Sequence, residues 1–230
     1  MIKKFFIITY VTITYQTNKN GLKMSIIIKR AKEEDKTFLA KMVLQSSRAG
    51  KKIGLFDIIF ETENDSKIIE QLEKLITTSI KNHCHFSNFL IAELDGKDVG
   101  TLCSYEPRIS NKETFIEALK EIGQDGDISK RLEVFYNCDF EINNRVLMFD
   151  FMEELEGFID VGVLKALMQK SILTARLKGY RIGQTLVEIG SLESILLYKK
   201  MGFKEIKAKE CELYQEQFGR KGLVLLEMGF

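Results

Sequence analysis

The stretch from residue 145 to residue 189 constrains the fold most, because its hydrophobic pattern changes character twice. Residues 145–155 form a nearly continuous apolar run, which is typical of a strand buried on both faces. Residues 164–175 then carry apolar side chains at helical spacing up to Gly179, and residues 182–189 are again β-branched and apolar. This order predicts two parallel strands that are joined by a crossover helix.

A β-hairpin is predicted upstream of this unit. Residues 89–94 and 99–105 are apolar runs of strand length, and Asp95-Gly96 between them supplies the positive φ that a type I′ turn requires. The predicted fold class is therefore α/β (α+β mixed): a twisted mixed sheet of about seven strands with helices on both faces. The remaining periodicity predicts strands at 26–28, 203–208 and 223–228 and helices at 32–47, 66–80, 115–122, 192–201 and 209–218.

Composition favours one folded domain and excludes several classes of protein. The chain has 230 residues, of which 45% are hydrophobic and 29% charged, so disorder is not expected. Its net charge of +1 gives no overall attraction to nucleic acid or to an acidic membrane, so neither is an expected partner. Cys84, Cys103, Cys138 and Cys211 lie far apart in sequence, which favours reduced thiols and a cytoplasmic location over a disulfide framework.

Residues 1–23 differ from the rest and are predicted to be an N-terminal extension before a domain at 24–230. Their apolar run at 5–15 is about half as long as the ~20 residues that span a bilayer. No small-residue cleavage site follows it, so a signal peptide is not favoured. The β-branched and aromatic residues of the run favour an extra strand, and Met24 offers an alternative start that would make the segment an upstream extension.

The segment after the second parallel strand carries a motif that resembles a known family. Residues 190–203 read Gly-Ser-Leu-Glu-Ser-Ile-Leu-Leu-Tyr-Lys-Lys-Met-Gly-Phe. This is similar to the Asn-x-x-Ala-x-x-Leu-Tyr-x-Lys-x-Gly-Phe signature of the GNAT superfamily of N-acetyltransferases. Residues 89–105 resemble the superfamily's central hairpin, and residues 145–178 occupy the place of its acetyl-CoA-binding strand and helix. The resemblance covers about residues 25–230. It implies the GNAT fold and an N-acetyltransferase that moves an acetyl group from acetyl-CoA to an amine.

The resemblance also implies where acetyl-CoA binds. Its diphosphate would lie on backbone N–H groups at the start of the crossover helix, where the helix dipole favours anions. The pantetheine arm would pair with the central strand, and the N–H near Met152 would polarise the thioester carbonyl. Ser191 stands where the family usually has asparagine. The implied cofactor-binding residues are Met152, Glu154, Val161, Gly162, Val163, Leu164, Lys165 and Ser191.

The resemblance implies that three side chains take part in proton transfer. Tyr198 matches the family's tyrosine that donates a proton to the leaving thiolate. Asp150 and Glu153 lie on the strand where the family often places the carboxylate that deprotonates the amine. Each has a structural alternative. Tyr198 would otherwise be a core residue with a satisfied hydroxyl, Asp150 would turn to solvent at the sheet end, and Glu153 would belong to a solvated strand end.

The loop before the crossover helix departs from the family pattern, which reads Arg or Gln-x-x-Gly-x-Gly or Ala. Residues 159–164 keep only Gly162 and end on Leu164. Glu156 and Asp160 add negative charge near the diphosphate position. Two functions are therefore open: an acetyl-CoA-dependent N-acetyltransferase, and a GNAT-fold binding or sensing module that has lost transfer chemistry. Binding of acetyl-CoA discriminates between them.

No motif identifies the amine acceptor. The resemblance places it against segments 48–62 and 106–145, so a small-molecule amine and a protein amine both stay open. Members of the family are often dimers, which makes a homodimer a candidate assembly. His83-Cys84-His85 contains metal-ligand residue types, but three adjacent side chains cannot converge on one ion, so no metal is predicted. The Lys-Lys pairs at 51–52 and 199–200 are expected to be solvated.

Overall fold

The described residues form one mixed sheet, which confirms the predicted α/β architecture. A computed structural model gives the structure of residues 10–15, 24–159 and 162–230. Every strand predicted within 24–230 is present. The strands are β1 Tyr10–Tyr15, β2 Met24–Arg30, β3 Phe89–Leu94, β4 Lys97–Tyr105, β5 Leu147–Glu154, β6 Ile182–Glu188, β7 Lys204–Glu210 and β8 Gly222–Gly229.

The strand order in the sheet is β1-β2-β3-β4-β5-β6-β8-β7. All neighbouring strands are antiparallel except β5 and β6, which run parallel as the crossover unit predicts. β3 and β4 form the predicted hairpin. Asp95 and Gly96 in its turn have φ values of 50° and 76°, as a type I′ turn requires. The one parallel pair therefore lies near the middle of an otherwise antiparallel sheet.

Helices cover both faces of this sheet, as predicted. One face carries a core that includes Phe56, Leu72 and Phe151 and is closed by the first five helices. The other face carries a core that includes Phe149 and Leu167 under the sixth and seventh helices. The helices are α1 Lys36–Arg48, α2 Leu55–Ile59, α3 Asp65–Ile76, α4 Lys112–Glu121, α5 Ile128–Cys138, α6 Val163–Leu177, α7 Leu192–Lys200 and α8 Glu212–Phe218.

Helices α2 and α5 are not predicted from the sequence. α2 has five residues, which is too short to show a hydrophobic period. α5 carries Ile128, Leu132 and Phe135 at helical spacing, and Asp127 caps it by accepting a hydrogen bond from the Lys130 N–H. The signal for α5 is thus present in the sequence, and the helix closes the side of the sheet on which the candidate site lies.

Strand β1 pairs with β2 along its whole length, from Tyr10 opposite Lys29 to Tyr15 opposite Met24. It lies within the apolar run for which an extra strand is one interpretation. Residues 1–9 and 16–23 lie outside the described residues. The division into an extension at 1–23 and a domain at 24–230 stays a prediction.

Candidate active site

Strands β5 and β6 separate soon after they pair. Two residue pairs connect them, Leu147 with Gly183 and Met148 with Gln184. β5 continues to Glu154 and β6 continues to Glu188 without further pairing between them. A wedge therefore opens toward the carboxyl ends of both strands, which is where α/β sheets commonly bind ligands. The predicted separation of these two strands is confirmed.

A β-bulge in β5 shapes one wall of the wedge. Across the irregularity, β4 advances by two residues, from Thr101 to Cys103, while its partner advances by three, from Asp150 to Glu153. Phe151 takes up the extra residue with a φ of 43°, a left-handed conformation that is rare for an aromatic residue. In a regular strand, residues three apart face opposite sides of the sheet. The bulge removes this constraint for Asp150 and Glu153.

The Asp150 carboxylate lies in an apolar and only partly exposed place. The Asp150 carboxylate lies near the Cys84 and Cys103 thiols. Burial raises the pKa of both thiols most, and the negative charge of Asp150 raises it further. Burial raises the pKa of Asp150 itself to about 6, and the Phe151 N–H, which donates to Oδ1 over 2.8 Å, opposes the shift. Asp150 is therefore ionised above about pH 6. Of the two interpretations of Asp150, partial burial with a raised pKa fits this geometry.

Glu153 lies past the bulge and is also partly buried. Burial raises its pKa, while the Glu154 N–H, 3.3 Å from Oε1, and a hydrogen bond with Gln45 of α1 lower it. The contact with α1 puts Glu153 on the same side of the sheet as the Phe151 ring, which packs in the core under α1–α5. These contacts do not fit a fully solvated strand end.

Tyr198 lies near the end of α7 and is 7% exposed. Its ring packs edge-to-face on Phe203, with 5.1 Å between the ring centroids. Burial raises the pKa of the Tyr198 hydroxyl, a hydrogen bond with Thr185 opposes the shift, and the charges of Asp150 and Glu153 add to it. The hydroxyl is therefore protonated at neutral pH. Tyr198 is a core residue, and it also lines the cavity into which the wedge opens.

The wedge opens into a cavity of about 520 Å³. The cavity runs from β5 and β6 to the segments between α1 and α2 and between β4 and β5, so the segments expected to hold the acceptor do line it. Five of the predicted site residues lie on its wall, namely Asp150, Met152, Glu153, Ser191 and Tyr198. The other described candidates, Glu154, Gly162, Val163, Leu164 and Lys165, do not line it.

The start of α6 lies beside the wedge, packed on the sheet. Gly162 is its N-cap residue with a φ of 94°, and no side chain caps the helix. Val163 is fully buried against Gly100 of β4, where an added Cβ would come within 2.6 Å of Val163 Cγ1. The helix start therefore fits closely against the sheet, and its backbone N–H groups have no side-chain cap.

Leu164 and Lys165 lie in the first turn of α6. Leu164 is partly buried against the core of the α6 face, and Lys165 is exposed. Asp160 and Val161 lie outside the described residues. The binding role assigned to Val161 stays a prediction.

An ion pair buried at one end of the cavity is not predicted from the sequence. Lys51, in the connection between α1 and α2, pairs with Glu188 at the end of β6. The Tyr214 hydroxyl donates to Glu188 Oε1 over 2.8 Å, and Arg220 Nε lies 3.5 Å from Oε2. Lys51 Nζ also lies 4.7 Å from the centroid of the Phe218 ring. The expectation that Lys51 is solvated is therefore wrong, because a carboxylate far away in sequence folds over it.

The His83-Cys84-His85 run serves packing in this structure. The His83 ring lies 4.3 Å from the Phe115 ring, centroid to centroid, and burial lowers the pKa of His83 to about 4. His85 lies instead against Phe86. Among the described residues, no group of three or more His, Cys, Asp or Glu side chains is placed to hold a metal ion.

No helix in the described part of the chain has the length and apolarity that crossing a bilayer requires.

Comparison with known proteins identifies the fold. The chain matches no protein-family profile and no curated protein sequence. An N-acetyltransferase from Staphylococcus aureus superposes with a TM-score of 0.61 at 16% identity, over 87% of this chain and 99% of that chain. A GCN5-related N-acetyltransferase from Kribbella flavida gives 0.54 at 17% identity, over 89% and 98%. The PaiA N-acetyltransferase from Thermoplasma acidophilum, in complex with coenzyme A, gives 0.52 at 14% identity, over 89% and 99%.

These likenesses establish the class of fold. The chain has the GNAT N-acetyltransferase fold over nearly its whole described length. The fold expected from the motif at 190–203 is thus confirmed. At identities of 14–17%, the likeness concerns the fold, and the chemistry has to be argued from the residues of this chain.

We expect Asp150→Asn to raise the free energy of unfolding at pH 7.5 by about 1–2 kcal/mol. The raised pKa of Asp150 means that the folded state holds this proton more tightly than the unfolded state does. Stability is therefore lost as pH rises from about 4 to about 6, and asparagine avoids that loss. Urea denaturation at pH 7.5 and pH 4.5 measures the difference between the two proteins, which should shrink at the lower pH.

The matched control is Glu216→Gln, which neutralises an exposed carboxylate. It should change stability by less than about 0.5 kcal/mol at either pH. A destabilised Asp150→Asn variant at pH 7.5, or a difference that is equal at both pH values, would contradict the burial of this charge.

Proposed function

We propose that this protein is an N-acetyltransferase that transfers the acetyl group of acetyl-CoA to an amine by direct attack in a ternary complex. The observation that carries the proposal is the early separation of β5 from β6, which opens a cavity with Asp150 on one wall and Tyr198 on the other. Acyl transfer from a thioester needs both substrates held together, and a wedge between strands can hold one while the cavity behind it holds the other.

Two parts of the chain would hold acetyl-CoA. The edge of β5 that faces β6 is not paired with that strand beyond Met148, which leaves room along Met152 and Glu154 for the pantetheine arm. The uncapped N-terminus of α6 offers the N–H groups of residues 162–165 to the diphosphate. Lys165 adds a positive charge there, and Ser191 lies at the start of α7 beside the wedge.

Four groups would carry the chemistry. The N–H near Met152 would stabilise the negative charge that develops on the thioester oxygen, an interaction worth about 3–4 kcal/mol. Asp150, ionised above about pH 6, would accept the proton of the attacking amine, with Glu153 as the second carboxylate within the cavity. Tyr198 would return a proton to the sulfur as coenzyme A leaves, since its hydroxyl is protonated at neutral pH. The carbon–sulfur bond breaks as the carbon–nitrogen bond forms.

The acceptor, the cellular location and the assembly are proposed in general terms. The acceptor is an amine of a small molecule or of a protein, bound against the segments at 48–62 and 106–145. Cytoplasmic location rests on the four free cysteines, and a homodimer rests on the family resemblance alone.

Acetyl-CoA should bind with a Kd in the micromolar range, and Lys165→Glu should weaken it about tenfold. The substitution replaces an attractive charge with a repulsive one in the first turn of α6, where the diphosphate is placed. Isothermal titration calorimetry of the full chain measures both values. The matched control is Arg176→Glu, the same change of charge in the last turn of the same helix, about 16 Å away.

The control should bind acetyl-CoA within about twofold of the wild type, since that distance exceeds the screening length at physiological salt. Absence of heat up to millimolar acetyl-CoA would overturn the proposed function and favour a binding module without transfer chemistry. Equal weakening by both variants would move the diphosphate away from the start of α6.

Tyr198→Phe should lower kcat about 100-fold and leave the Kd for acetyl-CoA within about twofold. The ring and its packing on Phe203 are retained, so the change removes the hydroxyl together with its hydrogen bond with Thr185. Initial rates of thiol release measure kcat, and calorimetry measures the Kd. Tyr180→Phe, which removes a hydroxyl outside the cavity, is the control. Unchanged turnover in Tyr198→Phe would remove this hydroxyl from the mechanism.

A further inference from the structure

The part of the cavity beyond Asp150 has a composition that selects among amines. We propose that the acceptor is a primary amine on an aromatic or flat apolar body, with no carboxylate next to the amine. The inference rests on the proposed function, because it names the second substrate of the same site. Two observations support it: the rings on the cavity wall and the charge at the floor of the cavity, by which we mean the β5 wall with Asp150 and Glu153.

Aromatic rings form much of the wall on the acceptor side. The His83 ring lies 4.3 Å from the Phe115 ring and 5.7 Å from the Tyr105 ring, centroid to centroid. α5 and the residues after it add further rings. The rings concerned are His83, Tyr105, Phe115, Phe135, Tyr136 and Phe140. A flat apolar body finds stacking and edge-to-face surfaces there that a peptide backbone does not.

The histidine in this wall acts as a ring and not as a cation. Burial lowers the pKa of His83 to about 4, so its imidazole is neutral at pH 7. It therefore neither repels an ammonium group nor attracts a carboxylate. The charges within the cavity therefore come from the carboxylates and lysines that line it.

The floor of the cavity is negative. Asp150 and Glu153 both line it, and neither forms an ion pair within the part of the chain that the structure describes. An ammonium group placed there gains attraction, and a carboxylate on the neighbouring carbon meets two like charges in a partly buried place. The floor therefore discriminates against amino acids at their α-amine.

The two lysines on the cavity wall do not reverse this balance. Lys51 is paired with Glu188, which Arg220 also contacts, so Lys51 is held at the end of β6. Lys112 lies at the exposed rim, with Nζ 3.8 Å from the centroid of the Tyr136 ring, and Asp139 shares that rim. A carboxylate on the acceptor finds no lysine beside the floor, where the amine must react.

Peptides and polyamines are the competing acceptors. A peptide brings N–H and C=O groups that need partners when buried, which the polar side chains of the wall would have to supply. A polyamine carries further ammonium groups, and the carboxylates that line the cavity beyond the floor are Glu188, which is already paired, and Asp139 at the rim. Both are kept as outcomes of the test.

The test compares two amines that differ by one group. Phenethylamine and phenylalanine share the aromatic body, and only phenylalanine carries a carboxylate beside the amine. With the full chain and saturating acetyl-CoA, thiol release should give phenethylamine a kcat/KM about 100-fold higher. Butylamine, which lacks the ring, should fall about tenfold below phenethylamine. Spermidine and a short peptide with a free N-terminus complete the panel.

Two variants assign these preferences to their residues. Glu153→Gln removes one floor charge and should reduce the preference for phenethylamine over phenylalanine about tenfold. Any loss of proton transfer affects both amines and cancels in the ratio. Phe115→Leu should reduce the preference for phenethylamine over butylamine, while Tyr180→Leu, an aromatic position outside the cavity, should leave that ratio unchanged.

Each other outcome overturns the inference in a recognisable way. A higher kcat/KM for phenylalanine, spermidine or the peptide rejects the proposed acceptor class and leaves the transferase in place. Binding of acetyl-CoA by calorimetry with no amine acetylated above the rate of hydrolysis rejects the acceptor class and keeps the cofactor site. No binding of acetyl-CoA rejects both the acceptor class and the proposed function.

Discussion

The left-handed conformation of Phe151 is the constraint on which the candidate site depends. A positive φ at a residue with a side chain costs about 1–2 kcal/mol. The Phe151 ring is 4% exposed and packs within 6.2 Å of the Phe56 and Phe89 rings, centroid to centroid. Burial of an aromatic ring contributes about 1.5–3 kcal/mol, which offsets that cost. The core thus holds a bulge that places Asp150 and Glu153 on one cavity wall.

The wedge between β5 and β6 connects two different surroundings. The α6 face provides an uncapped helix N-terminus, suited to an anion. The opposite face provides aromatic rings and two carboxylates that form no ion pair with any described residue, suited to an amine on an apolar body. Because the two strands stop pairing after Met148, there is space between these surroundings in which the proposed thioester and amine would meet. In the proposed reaction the fold would bring the reactants together, and few side chains would take part in bond changes.

Local sequence signals predict most of the fold and part of the site. The hairpin with Asp95-Gly96 and the unit at 145–189 are predicted because periodicity and turn chemistry are local. Asp150 and Tyr198, which the family resemblance singles out, line the cavity, and their catalytic roles stay proposals. The bulge at Phe151 leaves no periodic trace, since every position of the run 146–152 except Asp150 is apolar. The Lys51–Glu188 pair joins residues 137 positions apart, a contact that only the tertiary structure reveals.

The central claim is that the open edge of β5 and the start of α6 hold acetyl-CoA together. Hydrogen–deuterium exchange of the full chain, with and without saturating acetyl-CoA, tests it most directly at single-amide resolution. Bound acetyl-CoA should slow the exchange of the Met152, Glu154, Leu164 and Lys165 amides and leave β7, at the far edge of the sheet, unchanged. Saturation by acetyl-CoA with unchanged exchange at these four amides would contradict it.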